Sequence, residues 1–216
     1  MKIDILCTDP NHPVHGWIEK WFENNQLIHD IKRLNDKGQL RGGDVLFLVS
    51  CGQVIAADLR ALYSNVMVLH ASDLPKGRGW HPHIWAILDG AKTITVTLLE
   101  AEDSIDTGAI WAQKEFSVQR SALCDEVNEA LFEAELSLMS EGIELIQSGF
   151  QPKPQRDESA TYYPKRTPAN SEVDPTVPLV ELFNEIRIAD PERYPAFFRA
   201  FGETYTIELK KVTKDE

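Results

Sequence analysis

The chain is poor in cysteine, in positive charge and in long apolar runs. Of its 216 residues only three are cysteine: Cys7, Cys51 and Cys124. Wide spacing and an odd number offer neither a disulfide framework nor a zinc knuckle, which fits a reducing, cytoplasmic compartment. No apolar stretch approaches the ~18 residues that a membrane span requires. The N-terminal stretch meets Asp4 and Pro10 and does not read as a secretory signal. Lysine and arginine number 22 against 34 aspartate and glutamate, a net charge of −12. A surface of that sign repels phosphate backbones at long range, which argues against nucleic acid as a partner. Residues 1–150 hold 12 basic and 22 acidic residues, and 151–216 hold 10 and 12, so no segment is a basic arm.

What is present is an ordinary globular balance, 43% hydrophobic and 26% charged. Eight of the 12 prolines lie at or after Pro152. They mark a boundary near residue 150, an extended linker over 151–178 and a small appendage over 179–216. Before the boundary the pattern alternates. Lys2–Cys7 reads as a short strand. Val14, Trp17, Ile18, Trp21 and Phe22 form the stripe of an amphipathic helix. Asp44–Ser50 and Asn65–Leu69 are apolar runs typical of strands buried on both faces. Thr93–Leu99 and Ile110–Val118 read as further strands. Ser121–Ser148 reads as a long helix with Leu123, Val127, Leu131, Leu138 and Ile146 on its buried stripe, stopped by Gly149. The tail predicts a helix over Leu179–Ile188 and a hairpin, Ala196–Phe201 with Tyr205–Val212, turning at Gly202. The fold class is therefore α/β: a Rossmann-like, mainly parallel sheet with helices on both faces, plus a C-terminal helix and β-hairpin.

In such a sheet ligands sit beyond the carboxyl ends of the strands. Two loops occupy that place, Ser50–Ala56 and His70–Pro82. The second combines turn residues with His70, Ser72, Asp73, Lys76 and Arg78.

The second loop and the segment up to Gly108 carry a more specific pattern. His70, Ser72, Leu74-Pro75, Arg78-Gly79, Pro82 and Asp106-Thr107-Gly108 occur in the order and spacing of the folate-dependent formyltransferases. The chain resembles that family over roughly residues 44–150, and its tail is most like that of the methionyl-tRNA and sugar N-formyltransferases. The resemblance implies transfer of a formyl group from 10-formyltetrahydrofolate, without a metal, by His70 and Asp106. An amine attacks the formyl carbon, and the site must stabilise an oxyanion and remove a proton from an ammonium. An imidazole with an ordinary pKa of ~6.5 suits either task. Asp106 can hold its tautomer or take the amine proton through water. By the same resemblance Gln53, Val54, Ile55, Glu102, Asp103, Ser104 and Ile105 hold the pterin. Ser72, Lys76, Arg78, Gly79, Trp80 and His83 face the acceptor, with Lys76 and Arg78 as phosphate ligands.

One position departs. The family motif has asparagine two residues before the histidine, donating to the formyl oxygen, and here that residue is Val68. Valine cannot donate; backbone N–H groups and a protonated His70 are the available replacements. Loss of one oxyanion donor costs about 10²–10³ in rate in a hydrolase.

For the acceptor, the aromatic and imidazole groups of Trp80, His81, His83 and Trp85 suit a sugar ring or a base. A nucleotide-linked amino sugar meets these requirements, and the likeness of loop and tail to the sugar N-formyltransferases of surface-glycan pathways implies a UDP- or dTDP-linked sugar of the 4-amino-6-deoxy type, such as one of a pseudaminic acid pathway. Val68 motivates the alternative of a folate- or sugar-nucleotide-binding protein without catalysis. Methionyl-tRNA transfer and formyltetrahydrofolate hydrolysis are further alternatives. The pairs His12/His15 and His81/His83 have no cysteine or carboxylate in ligand spacing, so no metal is expected. Trp17, Trp21 and Phe22 read as core, and Trp85 as packing. The exposed aromatics of the tail need burial, and a homodimer is the expected way.

Overall fold

Apolar alternation and runs nucleate the strands, and the amphipathic stripes choose which sheet face each helix covers. The computed structural model describes residues 1–212. In chain order the elements are β1 (Lys2–Leu6), α1 (His15–Asn25), β2 (Asp30–Leu34), β3 (Gly43–Leu48), α2 (Ala57–Arg60) and β4 (Tyr63–His70). Next come β5 (Arg78–Gly79), α3 (Pro82–Leu88), β6 (Thr93–Glu100), β7 (Ile110–Ser117) and α4 (Cys124–Gln147). The last are β8 (Tyr162–Tyr163), α5 (Phe183–Arg187), β9 (Ala196–Ala200) and β10 (Glu203–Ile207).

The central sheet has the order β2-β1-β3-β4-β6-β7. The β2, β1, β3 and β4 strands are mutually parallel, whereas β6 runs antiparallel to β4 and β7 antiparallel to β6. The strand order therefore reverses at β1, which opens a crevice at the carboxyl ends of β1 and β3. The expected mainly parallel sheet is present, and its helical cover is unequal. One face packs Ile3, Ile5, Val45, Phe47, Met67 and Leu98 against α1, α3 and α4. The other carries a smaller cluster of Leu6, Leu34, Leu46, Leu48, Ile55 and Tyr63, with Leu59 of α2 packed on it.

Boundaries shift for local reasons. Glu126 accepts from the Leu123 N–H at 2.8 Å, so α4 starts at Cys124 rather than Ser121. Gly149, at φ 72, ends it as expected. The tail helix shrinks from Leu179–Ile188 to Phe183–Arg187, because Leu179 and Val180 are exposed with nothing to pack on. The hairpin is present with a shorter second strand, ending at Ile207. Polar Asp30–Leu34 is an edge strand that the apolar pattern alone does not reveal.

Residues 151–163 lie docked along the body. Lys153 bridges to Ile110. Tyr162 and Tyr163 pair in parallel with Arg78 and Gly79. The hairpin and α5 enclose their own small cluster, Val173, Leu182, Ile186 and Ala196. Arg187, buried, donates to the Ala122 carbonyl at 2.6 Å and joins that cluster to the body.

At the end of the sheet away from the crevice, Asp4 is fully buried on β1. Its carboxylate accepts from Arg41 Nε at 2.6 Å and from the Tyr63 hydroxyl, which ties β1 to the entries of β3 and β4. A buried carboxylate that loses its cation is costly. Arg41→Ala is expected to lower the unfolding free energy by about 3 kcal/mol, read by urea denaturation. A loss under about 0.5 kcal/mol, the size of an ordinary surface substitution, would show that this pair does not anchor the sheet.

Candidate active site

A cleft of about 500 Å³ opens beyond the carboxyl ends of β1, β3 and β4. Its walls are residues 50–55 after β3, residues 100–106 after β6, the start of α3, and Asn128, Leu131, Phe132 and Glu135 of α4. Lys165, Arg166, Arg193 and Tyr194 also line it, with Asp9 and Asp190 at the same end.

His70 ends β4 and is buried. Its Nε2 lies 2.8 Å from the Gly77 carbonyl oxygen, which only accepts, so Nε2 carries a hydrogen. Nδ1 then points at Asp106, 3.5 Å from Oδ2. Asp106 comes from the loop between β6 and β7 and holds φ at 58°, a conformation that aspartate tolerates better than most side chains. Its Oδ2 also accepts the Gly79 N–H at 2.8 Å. Gln155 donates to the carbonyls of Asp106 and Gly108 at 2.9 and 2.8 Å and pins the loop from outside. A Cβ on Gly108 would sit 1.9 Å from the Glu100 carbonyl oxygen, and one on Gly79 2.4 Å from that of Tyr163. Both motif glycines are thus demanded by close backbone approach. The arrangement presents an imidazole nitrogen and a carboxylate at one point of the cleft.

Gln53, Val54, Ile55, Glu102, Asp103, Ser104 and Ile105 all line the same cleft. Arg60 joins the two loops, donating to the Ile55 carbonyl at 2.7 Å and to Asp103 at 2.6 Å. Gly79, Trp80 and His83 also line it. Val68 shares the strand face of His70 and contributes only methyl groups. Asn65 is at the far end of β4, donating to the Asp44 carbonyl at 3.3 Å, and is no substitute. The side-chain amides on the walls are Gln53 and Asn128.

Three expected acceptor ligands are elsewhere. Arg78, 2% exposed, turns away from the cleft into residues 155–162. It donates to Gln155, Asp157 and the Tyr162 hydroxyl at 2.8, 2.6 and 3.0 Å. Its charge is spent on docking that segment, so it is not a phosphate ligand. Lys76 lies in the turn and does not reach the cleft. Ser72 shapes the same turn: its carbonyl accepts from Thr97 at 2.7 Å, and its hydroxyl is buried without a partner.

Among the wall residues, sequence reasoning missed Glu135. Glu135 is buried on α4 with Oε2 unpartnered, and desolvation pushes its pKa up to about 8. The available signal was a glutamate on the apolar stripe, between Leu131 and Leu138. His83 has a buried, unpartnered Nδ1, and burial with neighbouring histidines drives its pKa down to about 3. Burial, then Arg193, lowers that of His12 to about 4. Both rings are therefore neutral at physiological pH. Among the described residues no three His, Cys, Asp or Glu side chains gather as a metal-ligand set.

Glu135 gives stability a pH dependence with a definite sign. The folded state keeps a proton up to about pH 8 that an ordinary glutamate releases near 4.5. The folded state thus binds more protons across that window, so this contribution falls as pH rises through it and is level above. Glu135→Gln removes the slope. Denaturant unfolding at pH 5.5 and 8.5 should show wild type losing more stability than the variant by a few kcal/mol, roughly. Parallel losses would mean that Glu135 is solvated.

Known proteins share this arrangement of strands and loops. The formyl transferase family profile matches residues 6–143. The methionyl-tRNA formyltransferase of Caldanaerobacter subterraneus subsp. tengcongensis is 27% identical over 171 residues, 78% of this chain and 53% of that protein. The chain spans between 53% and 65% of the length of the curated relatives it matches. Methionyl-tRNA formyltransferase from Clostridium thermocellum superposes with a TM-score of 0.84 at 21% identity, covering all of this chain and 95% of that one. The formyltransferase PseJ from Anoxybacillus kamchatkensis, solved with UDP-4,6-dideoxy-4-formamido-L-AltNAc and tetrahydrofolate, superposes with a TM-score of 0.61 at 22% identity. That alignment covers 76% of this chain and 86% of PseJ. By the span of the profile match, the chain belongs to the formyl transferase family.

Proposed function

We propose that the chain is an N-formyltransferase that moves a formyl group from 10-formyltetrahydrofolate to the amine of a nucleotide-linked amino sugar. The observation that carries the reading is the approach of His70 Nδ1 to Asp106 Oδ2, 3.5 Å apart at the head of the cleft. The folate carrier supplies the activated formyl group. The residues that would hold its flat ring fit it: Val54 is exposed at the mouth, Ile55 is buried beside it, and residues 102–105 offer backbone groups, the two loops being joined by Arg60.

In this reading the amine nitrogen bonds to the formyl carbon, Asp106 takes its proton, and that proton passes to the carrier nitrogen as the carrier's own C–N bond breaks. The Oδ2 of Asp106 is already occupied by the Gly79 N–H, which fixes the carboxylate while Oδ1 has no hydrogen-bond partner among the described residues. His70, with Nε2–H committed to the Gly77 carbonyl, offers Nδ1. When protonated, Nδ1–H stabilises negative charge developing on the formyl oxygen, a task that Val68 cannot perform.

The acceptor is a UDP- or dTDP-linked 4-amino-6-deoxy sugar, and the ligands in the PseJ structure support that class. The methionyl-tRNA enzymes among the relatives favour a second reading, transfer to methionyl-tRNA. The net charge of −12 opposes it. We place catalysis in residues 1–150, with 151–178 as a strap and 179–216 as a cap; 213–216 lie outside the described residues. Leu179, Val180 and Phe201 are exposed on the cap, and we assign them to a homodimer interface in a cytoplasmic enzyme. Light scattering should give twice the chain mass at micromolar concentration; a monomer there removes the dimer.

His70→Ala and Asp106→Ala are each expected to cut formyl transfer at least about 10³-fold in a mass-spectrometric assay with a panel of nucleotide amino sugars, with thermal unfolding little changed. Normal turnover in both defeats the assignment. Val68→Asn tests the replacement of the missing amide. Unchanged or reduced turnover is expected, and a large gain would show that the native site lacks an oxyanion donor.

A further inference from the structure

With Lys76 and Arg78 excluded, an acceptor carrying phosphate needs another cation. Four positive or ionisable nitrogen groups cluster at one end of the cleft: His81, Lys165, Arg166 and Arg193. They differ in how far their charge is already met. Arg193 is paired with Asp9 and lies 4.0 Å from Asp190. His81 is held toward its neutral form by burial and then by its cationic neighbours. Lys165 and Arg166 have no carboxylate within 4 Å among the described residues. Glu185 acts on Arg166 only at longer range.

Both side chains are positioned by aromatic faces. Lys165 Nζ lies 4.6 Å from the centroid of Trp80, and Arg166 Cζ 5.1 Å from that of Trp85. Trp85 is itself fixed, stacked on Tyr163 at 6.0 Å and donating to the Pro164 carbonyl at 3.1 Å. Arg166 spends one donor on the Asn170 carbonyl, at 2.9 Å, and its other N–H groups are uncommitted. A partly desolvated guanidinium without a counter-charge, beside a second free cation, is an incomplete ion cluster. Trp80 comes directly after Gly79, and Gly79 binds Asp106, so Lys165, over Trp80, lies one short step from the reacting centre, with Arg166 next to it in the chain and on the same cleft.

We propose that Lys165 and Arg166 form the subsite for the acceptor's diphosphate, with Trp80 as the aromatic floor between that anion and Asp106. The proposal rests on the amino-sugar nucleotide reading and deepens it. Arg166 supplies the planar fork and Lys165 the point charge that together match two phosphate groups. The carboxylates of the folate carrier's glutamate are a second source of anion. They are disfavoured because the residues assigned to the carrier gather around Arg60, in the other loop cluster.

Titration calorimetry on the full chain separates these contributions, using UDP, dTDP, inorganic pyrophosphate and uridine as probes. Lys165→Ala and Arg166→Ala are each expected to weaken UDP or dTDP binding about tenfold or more, and the double variant further. Uridine binding should be unchanged, and Arg166→Lys should recover part of the loss. In turnover the loss should appear in KM for the sugar nucleotide and not in KM for the formyl carrier. Pyrophosphate binding that disappears in the double variant supports the subsite even if no amino sugar is formylated, in which case the acceptor reading alone fails. Unchanged UDP, dTDP and pyrophosphate binding in the double variant overturns the subsite, as does a rise confined to the carrier's KM. Equal losses for UDP and uridine assign the pair to packing and likewise overturn it.

Discussion

The site depends on how one short loop is held. Asp106 lies in the turn between β6 and β7 with a left-handed backbone, and three contacts keep it there. The Gly79 N–H binds its carboxylate, Gln155 grips two carbonyls of the loop, and Gly108 lets the loop pass against Glu100. Two of the three involve residues 151–163 directly or through Gly79, which pairs with Tyr163. The docked strap therefore belongs to the machinery that aims the carboxylate at His70. Arg78 makes the same point from the other side: its buried guanidinium binds the strap and so fixes the position of the glycine beside it.

This geometry gives the two reactive groups different freedoms. The imidazole is locked at Nε2 by a carbonyl, so only Nδ1 is available to chemistry. The carboxylate is locked at Oδ2 and open at Oδ1. Preorganisation of that kind is where electrostatic stabilisation of a transition state originates. It also bears on Val68, since a motif amide can be dispensed with only where another donor is already aimed. Around the pair the cleft is divided by charge. Residues 100–103 and the Arg60 bridge lie on the side we assign to the carrier, His83 and Glu135, both held toward their neutral forms by burial, form the floor, and Lys165 with Arg166 supplies positive charge at the end nearest the cap.

Much of this was legible in the sequence because backbone needs and apolar periodicity are local. The runs at Asp44–Ser50 and Asn65–Leu69 predicted the buried parallel strands, whereas the close backbone approaches at Gly79 and Gly108 became visible only in the structure. The pairing of His70 with Asp106 was expected from the family resemblance of the motif, and the structure brings the two side chains to 3.5 Å. What was hidden depends on direction. Arg78 and Lys76 have the composition of phosphate ligands, yet a strand pairing with residues distant in sequence turns one inward and leaves the other in the turn outside the cleft. Glu135 was concealed by its place on an apolar stripe. Lys165 sat in a proline-rich stretch that read as a linker, and docking of that stretch brings it to the cleft together with Arg166.

The central claim is that His70 and Asp106 act on one reacting centre as a unit. Single-turnover formyl transfer in His70→Ala, Asp106→Ala and the double variant measures that coupling directly. Residues of one unit are strongly non-additive, so the double variant should be about as slow as the slower single one. Losses that multiply, the double variant slower by the product of the two single factors, would contradict a shared centre and with it the account of the site.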